Sequence, residues 1–471
     1  MIKLNFVKLI FDYLPSKVNN GLWFYIRQLY PNVFNILKAI VKTRSTIRLH
    51  NKLPQSASIV VVGLGPASFS CVTNLIALGF DNILVLSKDL NYGGKCVNFG
   101  CMPSEYSLFL ETVPKDLRLG KLESFVSELR SDVEKQFNLL GVKVINSEAM
   151  SVQGKSVLLK SGNSISFDHL IFANGNSYNK PQRVPLNTSK TIEVEGLWSL
   201  PLGANLVIYA KNNPAALSMA NSARALGLNV SLILSGANPF SKLPSWRYFA
   251  RESVRKGINL IENDARLIRV DQDGISYECG SKITTISYDY ILIASKPELN
   301  FISVDGLVPS MLDIDLSSSR LVNRFDISYV GDAAGFYSAA EAEEHARLVI
   351  KNIVKASSVD LNQLSLIPLS FHGNPSLAFA GDPWTWGVAS SAWIEVDFRS
   401  LGWSKIHSEE GRLWYLLSRD GCSVDGIHIC HPRSAELIST AIALMGRPLS
   451  DPIWRISSIH PSASEIFKLI K

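Results

Sequence analysis

Two cysteines stand five residues apart in Gly93-Gly94-Lys95-Cys96-Val97-Asn98-Phe99-Gly100-Cys101-Met102-Pro103-Ser104-Glu105. Thiols this close can form a reversible disulfide or ligate a metal. A helix N-terminus beside them depresses a thiol pKa and favours the reactive thiolate. In an ideal α-helix, residues five apart lie roughly 8.6 Å apart at Cα, whereas a disulfide tolerates about 4.4–6.8 Å. A Cys96–Cys101 bond therefore requires a distorted helix start, which Gly100 and Pro103 can provide. No second Cys/His pair with ligand spacing occurs, so no metal is expected. Cys71, Cys279, Cys422 and Cys430 read as core or inert thiols.

The elements that must position this pair begin just upstream. Ile59-Val60-Val61-Val62 is a short buried strand, followed by Gly63-Leu64-Gly65-Pro66-Ala67-Ser68 and a helix through Gly79. Ile83-Leu84-Val85-Leu86 is a second strand. This is a βαβ unit with a GxGxx(small) turn, the form taken by dinucleotide sites. Gly63 permits the tight turn, and Gly65 lets backbone N–H groups approach a pyrophosphate at the helix N-terminus. Ser68 stands at the third glycine position, small enough for close helix–strand packing. The second strand ends at Ser87 rather than at the acid expected to bind a ribose; Lys88 follows, and Asp89 can serve only if the loop bends.

Composition bounds the rest. A chain of 471 residues, 46% apolar and 19% charged, has the length for about three domains and is not disordered. Six cysteines exclude a small disulfide scaffold. Residues 1–53 hold nine Lys/Arg against one acid, Asp12, a charge of +8 that leaves −2 for the remainder of a chain carrying +6. No nucleic-acid partner is expected. Ile2–Leu14 and Asn32–Arg44 read as amphipathic helices, with Trp23, Phe24, Tyr25 and Tyr30 between them. Such a leader suits an anionic membrane surface, docking on the body or a partner chain, or a cleaved targeting peptide. No apolar run reaches the length of a membrane span and no secretory signal is evident, so the expected place is cytoplasmic, with peripheral attachment at the inner membrane face as a further option.

The cysteine segment resembles the GG-T-C-x-x-x-x-C-x-P-S-K signature of the FAD-dependent pyridine nucleotide–disulfide oxidoreductases, departing from it at Lys95 and Glu105. The resemblance covers about residues 57–471. Phe167-Asp168-His169-Leu170-Ile171-Phe172-Ala173-Asn174-Gly175 is similar to the family's strand ending in ATG, and Ile327-Ser328-Tyr329-Val330-Gly331-Asp332-Ala333 to its later strand–Gly-Asp motif. The C-terminal part matches too, with a hairpin turn at Leu416–Gly421, a strand at Val424–Ile429, a helix at Ala435–Met445, and His460-Pro461-Ser462-Ala463-Ser464-Glu465.

The resemblance implies an α/β protein with two Rossmann-like dinucleotide-binding domains and an α+β C-terminal dimerisation domain. The expected divisions are a leader at 1–56, an FAD-binding domain at 57–198 and 299–364, an NAD(P)-binding-like domain at 199–298, and the dimerisation domain at 365–471. Cys96 would be the interchange thiol that attacks the substrate disulfide, and Cys101 the charge-transfer thiol against the flavin. His460 would shuttle a proton in the partner subunit's site with Glu465 orienting its ring, which requires a homodimer. Gly63, Gly65, Pro66, Ala67, Ser68, Ser87, Lys88, Gly94, Lys95, Cys96, Asn174, Gly175, Asp332 and Ala333 would line FAD. His169, His345, His372, His407, His428 and His431 have no comparable context.

The second βαβ unit departs from the family. Its strand Leu206-Val207-Ile208-Tyr209 and helix Ala215–Leu226 put the fingerprint glycines at Lys211, Asn213 and Ala216. Two of these are bulky where a pyrophosphate needs bare backbone. The strand-end acid is Ser235 with no Arg cluster after it, and the usual tyrosine gate is Pro214. The lysine–glutamate pair that relatives place beside the flavin falls at Glu105 and Ser218, and the A-x-G-R-x-P-N segment reads Ala294-Ser295-Lys296-Pro297-Glu298-Leu299-Asn300. The expectation is an FAD-dependent dithiol/disulfide oxidoreductase whose usual electron partner is not NAD(P)H but a quinone, oxygen or a protein. The alternatives are a conventional NAD(P)H enzyme with an unusual pocket, or a non-catalytic flavoprotein scaffold.

Overall fold

The computed structural model describes residues 53–471 apart from 178–185, 188, 263–264, 296, 316, 356–363, 365–366, 382 and 457. The leader helices expected in residues 1–52 lie outside the described residues, as does Lys296.

The first sheet has a parallel core in the order Lys143–Asn146, Ile83–Ser87, Ser56–Val62, Ser164–Phe172, Arg324–Tyr329. Its central strand is a β-branched run with Ile59, Val60, Val61 and Val62 all buried, as a parallel strand covered on both faces requires. Helices Pro66–Ala77 and Ala339–Lys355 pack on one face. The antiparallel strands Ala149–Gln153 and Ser156–Leu159 bring Val152, Val157 and Leu159 into the core on the other. Backbone bonds from Gly63 to Leu86, Ala173 to Val62 and Val330 to Phe172 keep the strand ends in step. Three turns therefore leave the sheet together at its carboxyl edge, where open α/β sheets bind ligands.

The second sheet is also parallel, in the order Asn259–Ile261, Asn229–Ser235, Asn205–Lys211, Tyr290–Ile293, Thr191–Ile192. Its helix Ala216–Leu226 buries Ala216, Leu217, Ala220, Ala223 and Leu226. The three alanines let it lie close to helix Cys101–Phe109 of the first unit.

The C-terminal sheet is antiparallel: Leu369–Phe371, Ser376–Gly381, Val424–His431, Arg412–Leu417, Ile394–Asp397. A turn closed by Ser418 and Ser423 joins strands Arg412–Leu417 and Val424–His431, as the sequence suggests. Helix Ser434–Leu444 covers one face. The other face meets helix Pro244–Arg255 of the second unit, through an edge-on contact of Trp246 with Phe371 and a 2.9 Å contact between Ser245 Oγ and His428 Nδ1.

Candidate active site

The glycine turn is a cradle that any side chain would fill. Gly63 has φ +124°, and a Cβ there would sit 2.2 Å from the Ala173 carbonyl oxygen. Gly94 has φ +57°, and its Cβ would sit 2.7 Å from the Gly65 Cα. The redox segment thus starts against the backbone of the dinucleotide turn. Helix Pro66–Ala77 begins at Gly65 with no side-chain cap, so its leading N–H groups are open to an anion. Ser68 Oγ and Asn174 Oδ1 are buried beside this turn without a protein partner.

Gly331 brings the later motif into the same cradle, since a Cβ there would meet Ala67 Cβ at 2.8 Å. Asp332 and Ala333 follow it, and Asp332 accepts a 2.7 Å hydrogen bond from Asn176 Nδ2. Lys95 Nζ donates to both the main-chain and side-chain oxygens of Asn176. Burial pushes the Asp332 carboxyl up to about 7, against the pull of Lys95 and with help from Cys101 and Glu341. Burial likewise lowers Lys95, against the pull of Glu195 and Asp332. Glycine backbone for a pyrophosphate, an uncapped helix start, unpartnered polar atoms and a buried carboxylate for hydroxyl groups together fit FAD. Ser87 Oγ donates to the Asp89 carbonyl at 2.6 Å, so the loop bends there, while Lys88 projects at the exposed edge.

The distortion required between the cysteines is present. A short helix, Gly94–Asn98, stops at Phe99, and a second, Cys101–Phe109, starts after Gly100 at φ −114°, ψ −115°. The Lys95 carbonyl accepts from both Phe99 and Gly100, which tightens the break. The two thiols are free and hydrogen-bonded to each other. Cys101 is the more acidic thiol: the bond from Cys96 lowers it most, burial opposes, and His372 lowers it further. Cys96 is raised by that same bond, by burial, and by the charges of Cys101 and Glu343.

His372 is the residue the sequence reading passed over. It follows strand Leu369–Phe371, and its Nδ1 lies 2.7 Å from Glu105 Oε2. Its backbone N–H donates to Ser218 Oγ at 2.9 Å, and its ring hydrogen-bonds Cys101. Burial disfavours the charged ring, but Cys101 and Glu105 outweigh it and raise His372 to about 9. The two positions that hold the lysine–glutamate pair in relatives are thus linked here through a third residue. An acid at position 105, where the family has a cation, was the signal that a cation had to come from elsewhere.

His460 and Glu465 contact each other at 3.0 and 3.1 Å, with Ser462 N–H and Lys468 also donating to Glu465. His460 is 79% exposed, and Ile456 and Ile459 beside it are exposed as well. The groups that perturb the thiols in this chain include His372 and Glu343 but not His460. Cys422, read as core or inert, is exposed, because it lies in the turn of a surface hairpin.

At the second sheet, Asn213 is buried with its Nδ2 on the Ala294 carbonyl at 2.8 Å. Asn212, at φ +53°, takes the left-handed turn position and accepts from the Ala237 N–H. A cleft of about 880 Å³ opens at these strand ends, lined in part by Asn213, Pro214, Ser235, Arg247 and Arg251. The expected absence of an Arg cluster is therefore corrected: helix Pro244–Arg255, which follows the strand Asn229–Ser235, brings two arginines to the cleft. Among the described residues no cluster of three or more His, Cys, Asp or Glu is placed to hold a metal.

The profile of the pyridine nucleotide-disulphide oxidoreductases matches residues 57–346, and the chain belongs to that family. It is an FAD-dependent oxidoreductase acting on sulfur groups. A leghemoglobin reductase of Vigna unguiculata is 24% identical over 455 residues, covering 87% of this chain and 86% of that protein. The mitochondrial dihydrolipoyl dehydrogenase of Pisum sativum is 22% identical over 462 residues, covering 87% and 90%. In fold, the HOCl-induced flavoprotein disulfide reductase RclA of Escherichia coli superposes with a TM-score of 0.76 at 18% identity, covering 88% of this chain and 99% of that one. LpdA of Mycobacterium tuberculosis gives 0.72 at 17%, covering 88% and 98%.

Proposed function

We propose that this chain oxidises a dithiol through the Cys96–Cys101 pair and passes the electrons to a partner other than NAD(P)H. The observation that carries this reading is the pairing of two opposed features. The thiols are intact and differentiated, whereas buried Asn213 occupies the backbone position that a nicotinamide nucleotide needs bare.

The thiol chemistry is a two-step exchange. One substrate thiolate attacks Cys96 Sγ of the oxidised pair, forming a mixed disulfide and releasing Cys101 as a thiolate. The second substrate thiolate then attacks its own partner sulfur, closing the substrate disulfide and releasing Cys96. His460 of the partner subunit protonates Cys96, held in orientation by Glu465. Gly63, Gly65, Ser68, Asn174 and Asp332 would hold FAD, which when bound would supply a two-electron redox centre for the thiol pair. The final acceptor is a quinone, oxygen or a protein. The basic residues 1–53 support a membrane-surface or protein partner, and exposed Ile456, Ile459 and His460 support a homodimer.

A conventional NAD(P)H enzyme is the second reading, favoured by the cleft with Arg247 and Arg251. Anaerobic titration of the purified flavoprotein separates the two. Flavin bleaching by dihydrolipoamide or dithiothreitol, with none by NADH or NADPH, is the expected result. Rapid bleaching by either nicotinamide overturns the main reading, and no bleaching by any donor points to a scaffold.

A further inference from the structure

We propose that His372 is a catalytic residue: its imidazolium, held by the Glu105 carboxylate, stabilises the Cys101 thiolate. This rests on the thiol reading above and assigns to that site a group from the C-terminal part of the same chain.

The geometry allows little else. Nδ1 lies 2.7 Å from Glu105, and the ring also hydrogen-bonds Cys101. A ring held between a carboxylate and a thiolate is favoured as its cation. Its main chain is fixed independently by the Ser218 hydroxyl. The following Gly373 is packed so tightly that a Cβ would meet the Phe249 ring at 2.5 Å. Asn374 continues the anchorage by donating to Glu111 Oε2 at 3.2 Å, and Glu111 is paired with Arg224 at 2.9 Å. These contacts fix the backbone that carries the ring.

The chemistry needs such a group. When a substrate thiolate attacks Cys96, the Cys96–Cys101 bond breaks and its electron pair leaves on Cys101. That negative charge develops near Glu343 and Asp332, whose carboxyl groups burial and the charge of Cys101 push upward, Lys95 opposing the rise at Asp332. A fixed positive charge against the leaving sulfur lowers the cost of the step without moving a proton. In relatives the charge beside the flavin is a lysine paired with a glutamate. Here the acid is on the redox helix and the cation arrives from the strand end at position 372.

The test uses the holoenzyme reduced anaerobically with dithiothreitol. The long-wavelength absorbance of a thiolate stacked on flavin is followed against pH in wild type, His372→Gln, His372→Lys and Glu105→Gln. The expected result is a midpoint raised by about one pH unit or more in His372→Gln, a tenfold change in proton concentration. A smaller rise is expected in Glu105→Gln, and a return toward wild type in His372→Lys. A wild-type midpoint matched by His372→Gln and Glu105→Gln overturns the assignment while leaving the thiol reading intact. A wild-type flavin that dithiothreitol fails to reduce defeats the thiol reading, and this one with it. Should His372→Gln lose flavin, alkylation of Cys101 by iodoacetamide in Cys96→Ser, with and without Glu105→Gln, reads the same pKa by mass spectrometry. Unchanged midpoints there also overturn the proposal.

Discussion

The Glu105 carboxylate and the His372 imidazole sit 2.7 Å apart although 267 positions separate them in the chain. The contact joins the redox helix to the first strand of the C-terminal sheet, and it links two replacements that look unrelated in sequence.

Gly63→Ala and Gly94→Ala should each destabilise the holoprotein by about 1–3 kcal/mol or more and weaken its hold on flavin. Both positions have positive φ, and both added Cβ atoms would press on backbone rather than on a side chain that can yield. Urea unfolding with flavin fluorescence as a second probe measures the loss. Gly154→Ala, with φ +52° but open space around it, should pay the conformational cost alone and keep its flavin.

His460→Gln should slow the dithiol half-reaction by about 10²- to 10⁴-fold while dimer and flavin content stay normal. Glu465→Gln should cost less, because it orients the ring rather than moving the proton. Coexpressing Cys96→Ser with His460→Gln should restore about a quarter of the wild-type rate, since half of randomly assorted dimers carry one intact site. Stopped-flow reduction of the whole coexpressed preparation decides this, and no recovery would place His460 outside the partner's site.

Lys211→Gly combined with Asn213→Gly should open the second turn to a pyrophosphate. The double variant loses the Asn213–Ala294 hydrogen bond, a cost of about 1 kcal/mol. Bleaching of its flavin by NADH or NADPH should become at least about tenfold faster than in wild type, a change of roughly 1.4 kcal/mol in the barrier. Rapid-mixing absorbance on both proteins measures the ratio.

Acid should unfold the protein partly through two buried histidines. His345 and His428 are each lowered to about 3 by burial. His345 accepts from the Gly331 N–H and contacts Ser319, which fixes it as a neutral ring beside the Gly331–Asp332 turn. For a histidine with a depressed folded pKa, stability is complete above 6.5 and falls as pH drops from there toward 3. The loss is up to about 1.4 kcal/mol per pH unit for each group. Urea midpoints at pH 7 and pH 5 should differ accordingly, with His428→Gln flattening the dependence.

What could be read in the sequence was local. The Gly63–Gly65 turn, the Cys96–Cys101 spacing and the two strand ends at Asn174 and Asp332 each sit in a short segment whose residues dictate their own backbone. The required break between the cysteines followed from helix geometry alone, and Gly100 supplies it. His372 escaped because nothing near it in the chain marks it; its partners come from position 105 and position 218 through packing. Arg247 and Arg251 escaped for a similar reason, since a helix beyond the strand delivers them. An acid at 105 in place of a cation was still a usable clue, because it leaves the redox helix without the positive charge the family places there.

The hydroxyl of Ser218 sits on the second sheet's own helix and holds the main chain of His372. Mutational drift in that helix is then policed by sulfur reactivity, whatever nucleotide the neighbouring cleft accepts. A chain that had abandoned nicotinamide altogether would still be unable to discard this unit.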